Sequence, residues 1–557
     1  MTRVLDLLEE KNIRRGNISL AVASGIMLGF AFPPSPLYSL AYLGLVPLLF
    51  LIVRIDRFGE LIRYSYLSML IFHVITLYWV SGITHLRDPY LLVSGGALLL
   101  VHPMFYWLPI IGASFVRRRL GNLSFLIAFP ALWVGFEYAH SLGEASFPWL
   151  TLGNSQAYDV HRIQIAEYTS VYGISLLVVV FNTMAFALLR NLMERTWRFS
   201  SRKSLTLVTL LVMLYIVPLV YGVVRREQYD SLSGETVASV GVVQPNIDPY
   251  EKWGEGSESK VESYARQLRI LYEETRELSR DSLDLVVWPE TAVPFYVLLP
   301  QNAEYYNQLK HEIDLANTAV FTGLPYGEYT DSTNATGTAK WIPQAGMFFE
   351  GYNAATLLVP YQSPGPVYRK VLLVPFAERV PYAETLTFLI DIVRWSVGLG
   401  SWGKGTERIV YTLGTRSGDS TRFSGMICYE LVFPSYVRSL VDEGAEFLVV
   451  ISNDSWWGNT SGARQLAAYT VLRAVETRKW IVRCANGGIS GIIDPAGRMY
   501  YETEMFEAKT FSGTIKALEG QTFYVRYGDI VGIGSLVSAL LAIAAAAVGP
   551  GRKWKKE

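Results

Sequence analysis

The chain has few of the residues on which many common protein sites depend. Its 557 residues include only two cysteines and six histidines, and Lys, Arg, Asp and Glu make up 18% of the sequence. The formal net charge is zero, and no basic block occurs outside the loops between apolar stretches, which argues against nucleic acid as a partner. So few histidines and cysteines argue against a zinc site. We therefore expect neither a metal nor a cofactor.

Apolar residues are in excess, at 51%, and they are concentrated in the first two-fifths of the chain and near its C-terminus. A membrane-spanning helix needs about 20 mostly apolar residues. Eight stretches reach or approach this length, and we predict a transmembrane helix in each. The stretches are Ile18–Phe32, Leu37–Val53, Tyr64–Ile83, Tyr90–Phe115, Leu123–His140, Ile163–Leu189, Leu205–Val224 and Ile530–Val548.

Lysine and arginine are enriched in alternate loops between these stretches and in both termini. Because basic loops stay on the cytoplasmic side, both termini are predicted to be cytoplasmic. Seven crossings then place the long polar block on the opposite face of the membrane. We expect a seven-helix transmembrane domain over residues 1–225, an extracytoplasmic globular domain over residues 226–527, and a C-terminal helix with a basic tail over residues 528–557.

The globular block alternates short β-rich runs with amphipathic helical stretches, which indicates a layered α/β fold. Ser257–Arg280 has helical spacing, and a long helix is predicted over Arg464–Thr477. The predicted strands are Thr236–Val243, Leu283–Trp288, Ala319–Gly323, Ala355–Val359, Ile409–Leu413, Phe423–Cys428, Phe447–Ser452, Ile481–Ala485 and Ile489–Ile493.

Three reactive residues stand at strand ends of this block: Glu290, Lys370 and Cys428. A cysteine nucleophile acts as the thiolate and needs a base or a stabilising charge. The block contains a single histidine, His311, on what the pattern predicts to be a solvated helix. If Cys428 is a nucleophile, its base must therefore be a carboxylate or an amine.

Each of the three also has a simpler interpretation. Glu290 and Lys370 could be ordinary solvated residues, and a lone cysteine is usually a small buried apolar residue. A disulfide between Cys428 and Cys484 is a further alternative in an oxidising compartment. The occurrence of all three residues together, in this order, favours a catalytic set.

The segments around these residues resemble the signatures of the nitrilase, or carbon–nitrogen hydrolase, superfamily. The matching segments are Trp288–Ala292, Tyr368–Lys370 with Leu373–Phe376, Ile427–Glu430, Asn453–Gly458 and Arg483–Ser490. The membrane part is similar to one branch, the apolipoprotein N-acyltransferases of the bacterial inner membrane. That similarity is carried by Phe147–Gln156, Ala166–Glu167, Val171–Ser175 and Asn182. Two positions depart from the family pattern: Ala377 stands where a glycine is usual, and Arg464–Gln465 lie where a histidine is common.

The resemblance implies a nitrilase αββα sandwich with Glu290 as general base, Lys370 as electrostatic stabiliser and Cys428 as nucleophile. It also implies a ping-pong reaction. Cys428 takes a fatty acyl chain from a membrane phospholipid as a thioester, and the N-terminal amine of a diacylglyceryl-cysteine apolipoprotein then accepts it. The catalytic domain would lie on the periplasmic face of the inner membrane.

Several further residues are candidates for substrate binding or for support of this set. Glu378 and Glu430 lie next to presumed catalytic residues, where an ion pair that orients Lys370 is the simpler role. The main-chain N–H of Tyr429 is a candidate oxyanion donor. Trp253, Tyr429 and Trp456 are candidates for an acyl-chain entrance, although aromatic residues are more often simply packed.

Two other functions remain open at this point. A membrane-anchored amidase or nitrilase would use the same three residues and transfer the acyl group to water. A transporter with an inactive external domain would not need them, and the membrane part lacks broken helices in matched halves.

Overall fold

The computed structural model describes residues 2–81, 89–231, 235–249, 252, 260–385, 402–516, 518 and 520–549. The chain divides into two compact units. The first comprises Met1–Leu142, Pro148–Glu227 and Asp529–Glu557, and the second comprises Gly143–Phe147 and Gln228–Gly528.

The first unit is helical. Its helices are α1 (Thr2–Gly29), α2 (Ala41–Gly44), α3 (Val46–Arg54), α4 (Phe58–Leu77), α5 (Pro89–Val101), α6 (Trp107–His140), α7 (Ala166–Met193), α8 (Arg202–Ser231) and α14 (Ile530–Val548). Short 3₁₀ turns join several of them, and α8 continues into the second unit.

Several of these helices are long and apolar enough to cross a membrane. Among the described residues there are five such spans: Phe58–Ser81, Leu92–His140, Arg162–Met193, Arg202–Tyr229 and Ile530–Val548. The predicted count of eight is therefore not confirmed. One reason is that two of the predicted helices fall within the single 49-residue span Leu92–His140. Another is that the predicted helix Leu37–Val53 corresponds to the shorter apolar segment Tyr38–Arg54.

Buried polar side chains connect helices within the first unit. The Asn182 carboxamide accepts a hydrogen bond from the main-chain N–H of Leu45 (2.9 Å) and donates one to the carbonyl of Ala41 (2.8 Å). His73, His102 and His140 form a hydrogen-bonded row with ring nitrogens 2.7 and 2.8 Å apart. Because an unpaired polar group is costly in an apolar surrounding, such pairing lets these side chains lie inside the bundle.

The second unit contains two mixed β-sheets. The strands of the first sheet are β1 (Thr236–Gln244), β2 (Leu285–Val287), β3 (Ala319–Thr330), β4 (Lys340–Ile342), β5 (Met347–Leu358), β6 (Tyr368–Arg369) and β13 (Lys509–Lys516). Their order is β13–β1–β2–β3–β5–β4, and β6 pairs with β5. The central strands β1, β2 and β3 are parallel, and the flanking pairs are antiparallel.

The second sheet has the same plan. Its strands are β7 (Tyr411–Gly414), β8 (Ser420–Ile427), β9 (Phe447–Ser452), β10 (Ile481–Ala485), β11 (Gly491–Ile493) and β12 (Met499–Tyr500). They are ordered β12–β11–β10–β9–β8–β7, with β8, β9 and β10 parallel at the centre. A parallel strand centre needs helical cover, which the remaining helices supply.

Four helices complete this unit: α9 (Lys260–Leu278), α10 (Ala303–Ala316), α11 (Pro434–Asp442) and α12 (Ser461–Thr477), followed by the short α13 (Phe523–Tyr527). Leu271 of α9 and Ile313 of α10 join Val286 and Trp288 in one apolar core on the first sheet. Helices α11 and α12 pack together, and α12 contacts β11 of the second sheet.

The two sheets face each other across an aromatic layer close to the predicted nucleophile. The ring of Phe321 in β3 lies 5.4 Å from that of Phe423 in β8. A Cβ atom at Gly425 would be 2.2 Å from the Phe321 ring, so only glycine fits at this position of β8. The layers are therefore helices, sheet, sheet and helices, and strand β8 enters the site through their tightly packed centre.

Candidate active site

Glu290 lies three residues after β2, which ends at Val287, and its side chain is buried. Its Oε1 accepts a hydrogen bond from Nδ2 of Asn353 (2.7 Å), and its Oε2 accepts one from the main-chain N–H of Asn453 (3.0 Å). Burial raises the pKa of the Glu290 carboxyl, and the nearby Lys370 ammonium opposes that rise. A carboxyl with a raised pKa is a better proton acceptor than an ordinary one, which suits a general base.

Lys370 directly follows the short strand β6 and is 1% exposed. Its Nζ lies 2.8 Å from Oε1 of Glu378 and 3.6 Å from Oε1 of Glu290. Burial alone would lower the pKa of this ammonium, but the Glu378 and Glu290 carboxylates outweigh burial and raise it. Lys370 is therefore a permanent positive charge inside the site and no candidate for the base.

Cys428 is the first residue after β8 and adopts a left-handed conformation, with φ of 51°. Non-glycine residues rarely adopt this conformation, and it is typical of functional turns. Burial, and next to it the Glu290 charge, raise the pKa of the Cys428 thiol, while Lys370 and a hydrogen bond with the Ser452 side chain act in the opposite direction. The resting thiol is therefore protonated, and the Glu290 carboxylate that acts on it is the candidate acceptor of its proton.

The structure thus brings the three predicted residues into one buried site, although they are up to 138 positions apart (428 − 290) in the sequence. His311, the one histidine of this unit's sequence, is exposed on α10. Both cysteines are free, so the alternative of a Cys428–Cys484 disulfide is wrong.

Glu378 holds Lys370 in place. Besides Nζ of Lys370, it accepts hydrogen bonds from Nδ2 of Asn353 (3.2 Å) and from the main-chain N–H of Val374 (2.8 Å). Asn353 therefore bridges the carboxylates of Glu290 and Glu378 with one amide group. This arrangement fixes the distance of both carboxylates from Lys370.

Glu430 makes no ion pair with Lys370 in the described part of the chain, which departs from the simpler role predicted for it. Its Oε1 instead accepts hydrogen bonds from the Tyr368 hydroxyl (2.6 Å) and from the main-chain N–H groups of Val371 (2.7 Å) and Leu372 (3.1 Å). Its Oε2 accepts one from the N–H of Ile427 (2.8 Å). Glu430 therefore ties the segment after Lys370 to the residue before Cys428.

We expect Glu430→Gln to lower both the stability of the protein and the rate at which Cys428 is acylated. All the groups around this carboxylate are hydrogen-bond donors, so the N–H₂ group of glutamine would face a donor and leave it unpaired. A buried donor left unpaired costs about 1–3 kcal/mol of the free energy of unfolding. A displaced Ile427 also misplaces Cys428, and we expect acylation about tenfold slower, equivalent to about 1.4 kcal/mol. Thermal unfolding and the acylation rate measure the two effects.

Glu446→Gln is the matched control for this variant. The Glu446 carboxylate also accepts a main-chain N–H, that of Arg422 (3.3 Å), but it lies on the surface of the same sheet. We expect little change in either measurement. Equal losses in the two variants would contradict the role given to Glu430.

The predicted aromatic residues lie in different surroundings. The Tyr429 hydroxyl donates to the carbonyl of Ser146 (3.0 Å), and its ring stacks on Phe147 with centroids 6.2 Å apart. Trp456 is half-buried in the turn that follows Asn453. Trp253 lies outside the described residues.

A cleft lies beside the segments that follow Lys370 and Cys428. Its apolar wall includes Val371, Leu372 and Leu373, which directly follow Lys370, and Phe433, which follows the Cys428 turn. Arg379, Lys404 and Glu144 also line this cleft, and Lys404 pairs with Glu144. The cleft therefore combines an apolar wall, next in sequence to Lys370 and Cys428, with charged groups.

Asn353, Ser452 and Asn453 were missed by the sequence prediction. Asn353 is a buried amide within β5, followed by two alanines, and this is a weak signal. Ser452 and Asn453 end strand β9 next to a segment that resembles the superfamily. The contact of Ser452 with Cys428 lies within the second sheet, whereas the hydrogen bond from Asn453 to Glu290 joins the two sheets. No local sequence pattern reports either contact.

Two regions of the chain match known protein families. The apolipoprotein N-acyltransferase N-terminal domain matches residues 24–184, and the carbon-nitrogen hydrolase family matches residues 239–523. The second match spans Glu290, Lys370 and Cys428. The globular unit is thus a carbon-nitrogen hydrolase domain, as the buried carboxylate, lysine and cysteine indicate.

Two relatives extend over nearly the whole chain. The chain is 36% identical over 535 residues to an apolipoprotein N-acyltransferase of Chlorobaculum tepidum, with 95% of this chain and 96% of the relative covered. It is 32% identical over 538 residues to an apolipoprotein N-acyltransferase of Geobacter metallireducens, with 96% of each covered. The chain belongs to the apolipoprotein N-acyltransferase family.

Proposed function

We propose that this enzyme transfers a fatty acyl chain from a membrane phospholipid to the N-terminal amine of a diacylglyceryl-cysteine apolipoprotein, through a thioester on Cys428. The observation that carries the proposal is the buried set of Glu290, Lys370 and Cys428 in a chain with several apolar helices. Family membership supports the same reaction. Both substrates are lipids, which explains why the catalytic unit is part of a membrane protein.

In the first half-reaction, Glu290 takes the proton of the Cys428 thiol as the sulfur attacks the ester carbonyl. The Lys370 ammonium offsets the negative charge that forms on the carbonyl oxygen, and the main-chain N–H of Tyr429 is a second donor. The ester C–O bond then breaks, and Glu290 gives its proton to the departing oxygen. The products are the thioester and a lysophospholipid.

In the second half-reaction, the free amine attacks the thioester carbonyl and Glu290 takes an amine proton. The C–S bond breaks, an amide forms, and the proton passes to the sulfur, so that the Cys428 thiol is restored. Water competes with the amine for the thioester, and the apolar wall of Val371 to Leu373 helps to exclude it.

We also propose eight membrane crossings and the three parts predicted above, residues 1–225, 226–527 and 528–557. The 49-residue span Leu92–His140 supports the count, because at about 1.5 Å per residue it is more than twice as long as the hydrocarbon core of about 30 Å. Gly121, with φ of 88° and ψ of 178°, interrupts the helix within it. The basic loops favour cytoplasmic termini and a periplasmic catalytic domain in the bacterial inner membrane.

The proposal is tested by intact-protein mass spectrometry of the purified full-length chain. With phospholipid alone, the protein is expected to gain the mass of one fatty acyl chain. Adding a diacylglyceryl-cysteine peptide is expected to remove this mass from the protein and add it to the peptide. No acyl mass on the protein, together with hydrolysis of a small amide, would instead support the membrane-anchored amidase.

A further inference from the structure

Lys252 is a buried lysine outside the set of Glu290, Lys370 and Cys428. Its side chain ends directly behind the general base: Nζ donates hydrogen bonds to the main-chain oxygen of Glu290 (3.2 Å) and to Oγ1 of Thr291 (2.9 Å). The main-chain N–H of Lys252 donates to the carbonyl of Asp248 (3.0 Å), and the main-chain oxygen of Lys252 accepts a hydrogen bond from Nε2 of Gln267 (3.0 Å). The ammonium is therefore fixed in position.

The turn to which Lys252 binds, Glu290–Thr291, has a strained main chain. Thr291 adopts φ of 49°, a left-handed conformation that is unfavourable for a β-branched residue. The turn also presses on β3, since a Cβ at Gly323 would lie 2.6 Å from the Thr291 nitrogen and 2.8 Å from Cα of Glu290. The two hydrogen bonds from Lys252 hold this turn on its other side and satisfy the Glu290 carbonyl.

The charge of Lys252 also acts on the Glu290 carboxyl. Among the residues that the structure describes, the charged and titratable groups that act on Glu290 are Lys370, Glu378, Lys252 and the Cys428 thiol. Lys370 is bonded to Glu378, whereas Lys252 forms no ion pair of its own among the described residues. Burial lowers the pKa of Lys252 to about 7, and the Glu290 charge opposes this effect. Below this pH the lysine is charged and lowers the pKa of Glu290.

We propose that Lys252 is a positioning residue for acyl transfer, which holds the Glu290–Thr291 turn and keeps the Glu290 carboxylate ionised for its reaction with Cys428. This inference rests on the function proposed above. A lysine suits the task because its ammonium carries three N–H donors on a flexible stem and so can bind two oxygens of one turn.

The test is the rate of acyl-enzyme formation against pH, measured by intact mass on the full-length protein with phospholipid. Glu290 must be ionised, so the rate falls on the acid side as Glu290 takes up a proton. In Lys252→Met we expect a rate about tenfold lower and an acid limb shifted to higher pH by about one unit. Lys252→Gln, which is neutral but keeps an N–H donor, should show the same shift. Lys252→Arg keeps the charge and should leave the limb where it is in the wild type.

Lys479→Met is the matched control. Lys479 is another buried lysine of the same unit, and its Nζ donates to the main-chain oxygens of Leu518 (2.9 Å) and Gly520 (3.4 Å). Its loss should lower thermal stability and leave the acid limb unchanged.

An unshifted limb in either neutral variant overturns the proposal, and so does an equal shift in Lys479→Met. Failure of both neutral variants to fold also overturns it, because Lys252 would then be a structural residue. A wild-type protein that forms no acyl-enzyme in the same experiment overturns the proposed function instead.

Discussion

Cys428→Ala is expected to abolish acyl transfer, with turnover reduced on the order of 10⁴- to 10⁶-fold, as when the nucleophile of a covalent catalyst is removed. No thioester forms without the sulfur, so the fatty-acyl mass should be absent from the protein and lysophospholipid should not be released. The fold should persist, since the change removes one atom from a residue whose main-chain conformation alanine also adopts at similar cost. Mass spectrometry and thermal unfolding measure the two outcomes.

Cys484→Ala is the natural control, because Cys484 is the other buried thiol of the chain. Its Sγ donates to the main-chain oxygens of Val243 (3.2 Å) and Val287 (3.3 Å), between the two sheets. We expect this variant to lose stability, by about 1 kcal/mol for a lost hydrogen bond, and to keep the acyl-enzyme. Acyl transfer that survives in Cys428→Ala, or that is lost in folded Cys484→Ala, would contradict the assignment of the nucleophile.

Lys370→Met is expected to slow acyl-enzyme formation by about 10²- to 10³-fold, the usual effect of removing one donor to a developing oxyanion. The acid limb of the pH profile should also move to higher pH. The sign follows from Glu290: Lys370 lowers its pKa, so without the ammonium the carboxyl is protonated at a higher pH and the base is lost sooner. The rate of acylation against pH tests both expectations.

The same change should lower stability, because the Glu290 and Glu378 carboxylates lose a buried counter-charge. Breaking a buried pair in this way costs about 3–5 kcal/mol. In the double variant with Glu378→Gln, one of the two carboxylates is neutral, and stability should partly recover while the rate does not. Recovery of the rate in the double variant would mean that Lys370 only balances Glu378.

Lys404→Met provides a comparison for the stability effect. Lys404 also pairs with a glutamate, Glu144 (3.0 Å), but its side chain is 37% exposed. A partly exposed pair contributes about 0–1 kcal/mol, so a small loss of stability is expected. The contrast between the two lysines isolates the effect of burial.

The three reactive residues could be predicted because each follows a local pattern that needs no knowledge of its partners. A buried strand is an uninterrupted apolar run, and a polar residue at its end is conspicuous. For the same reason strands Phe447–Ser452 and Ile481–Ala485 begin and end in the structure where the sequence predicts. Asparagine follows each run, and it disfavours a further strand residue.

The length of a strand could not be predicted where it depends on pairing with a distant segment. The predicted strand Ala319–Gly323 extends to Thr330, because β3 pairs with β5 from Val320 opposite Leu358 to Thr330 opposite Phe348. The polar residues of this extension carry no strand pattern of their own. The length of β3 is thus a property of the pair.

The sequence by itself determined the class of this protein: apolar helices, a layered α/β domain, and a cysteine in a domain whose one histidine lies on a predicted solvated helix. Only the tertiary structure decided how the site is held. Asn353 bridges two carboxylates, Glu430 ties the Lys370 and Cys428 segments together, and Lys252 binds behind Glu290. The physical reason is that burial and periodicity leave a local pattern in the sequence. A hydrogen bond between residues dozens of positions apart depends instead on how the sheets pack.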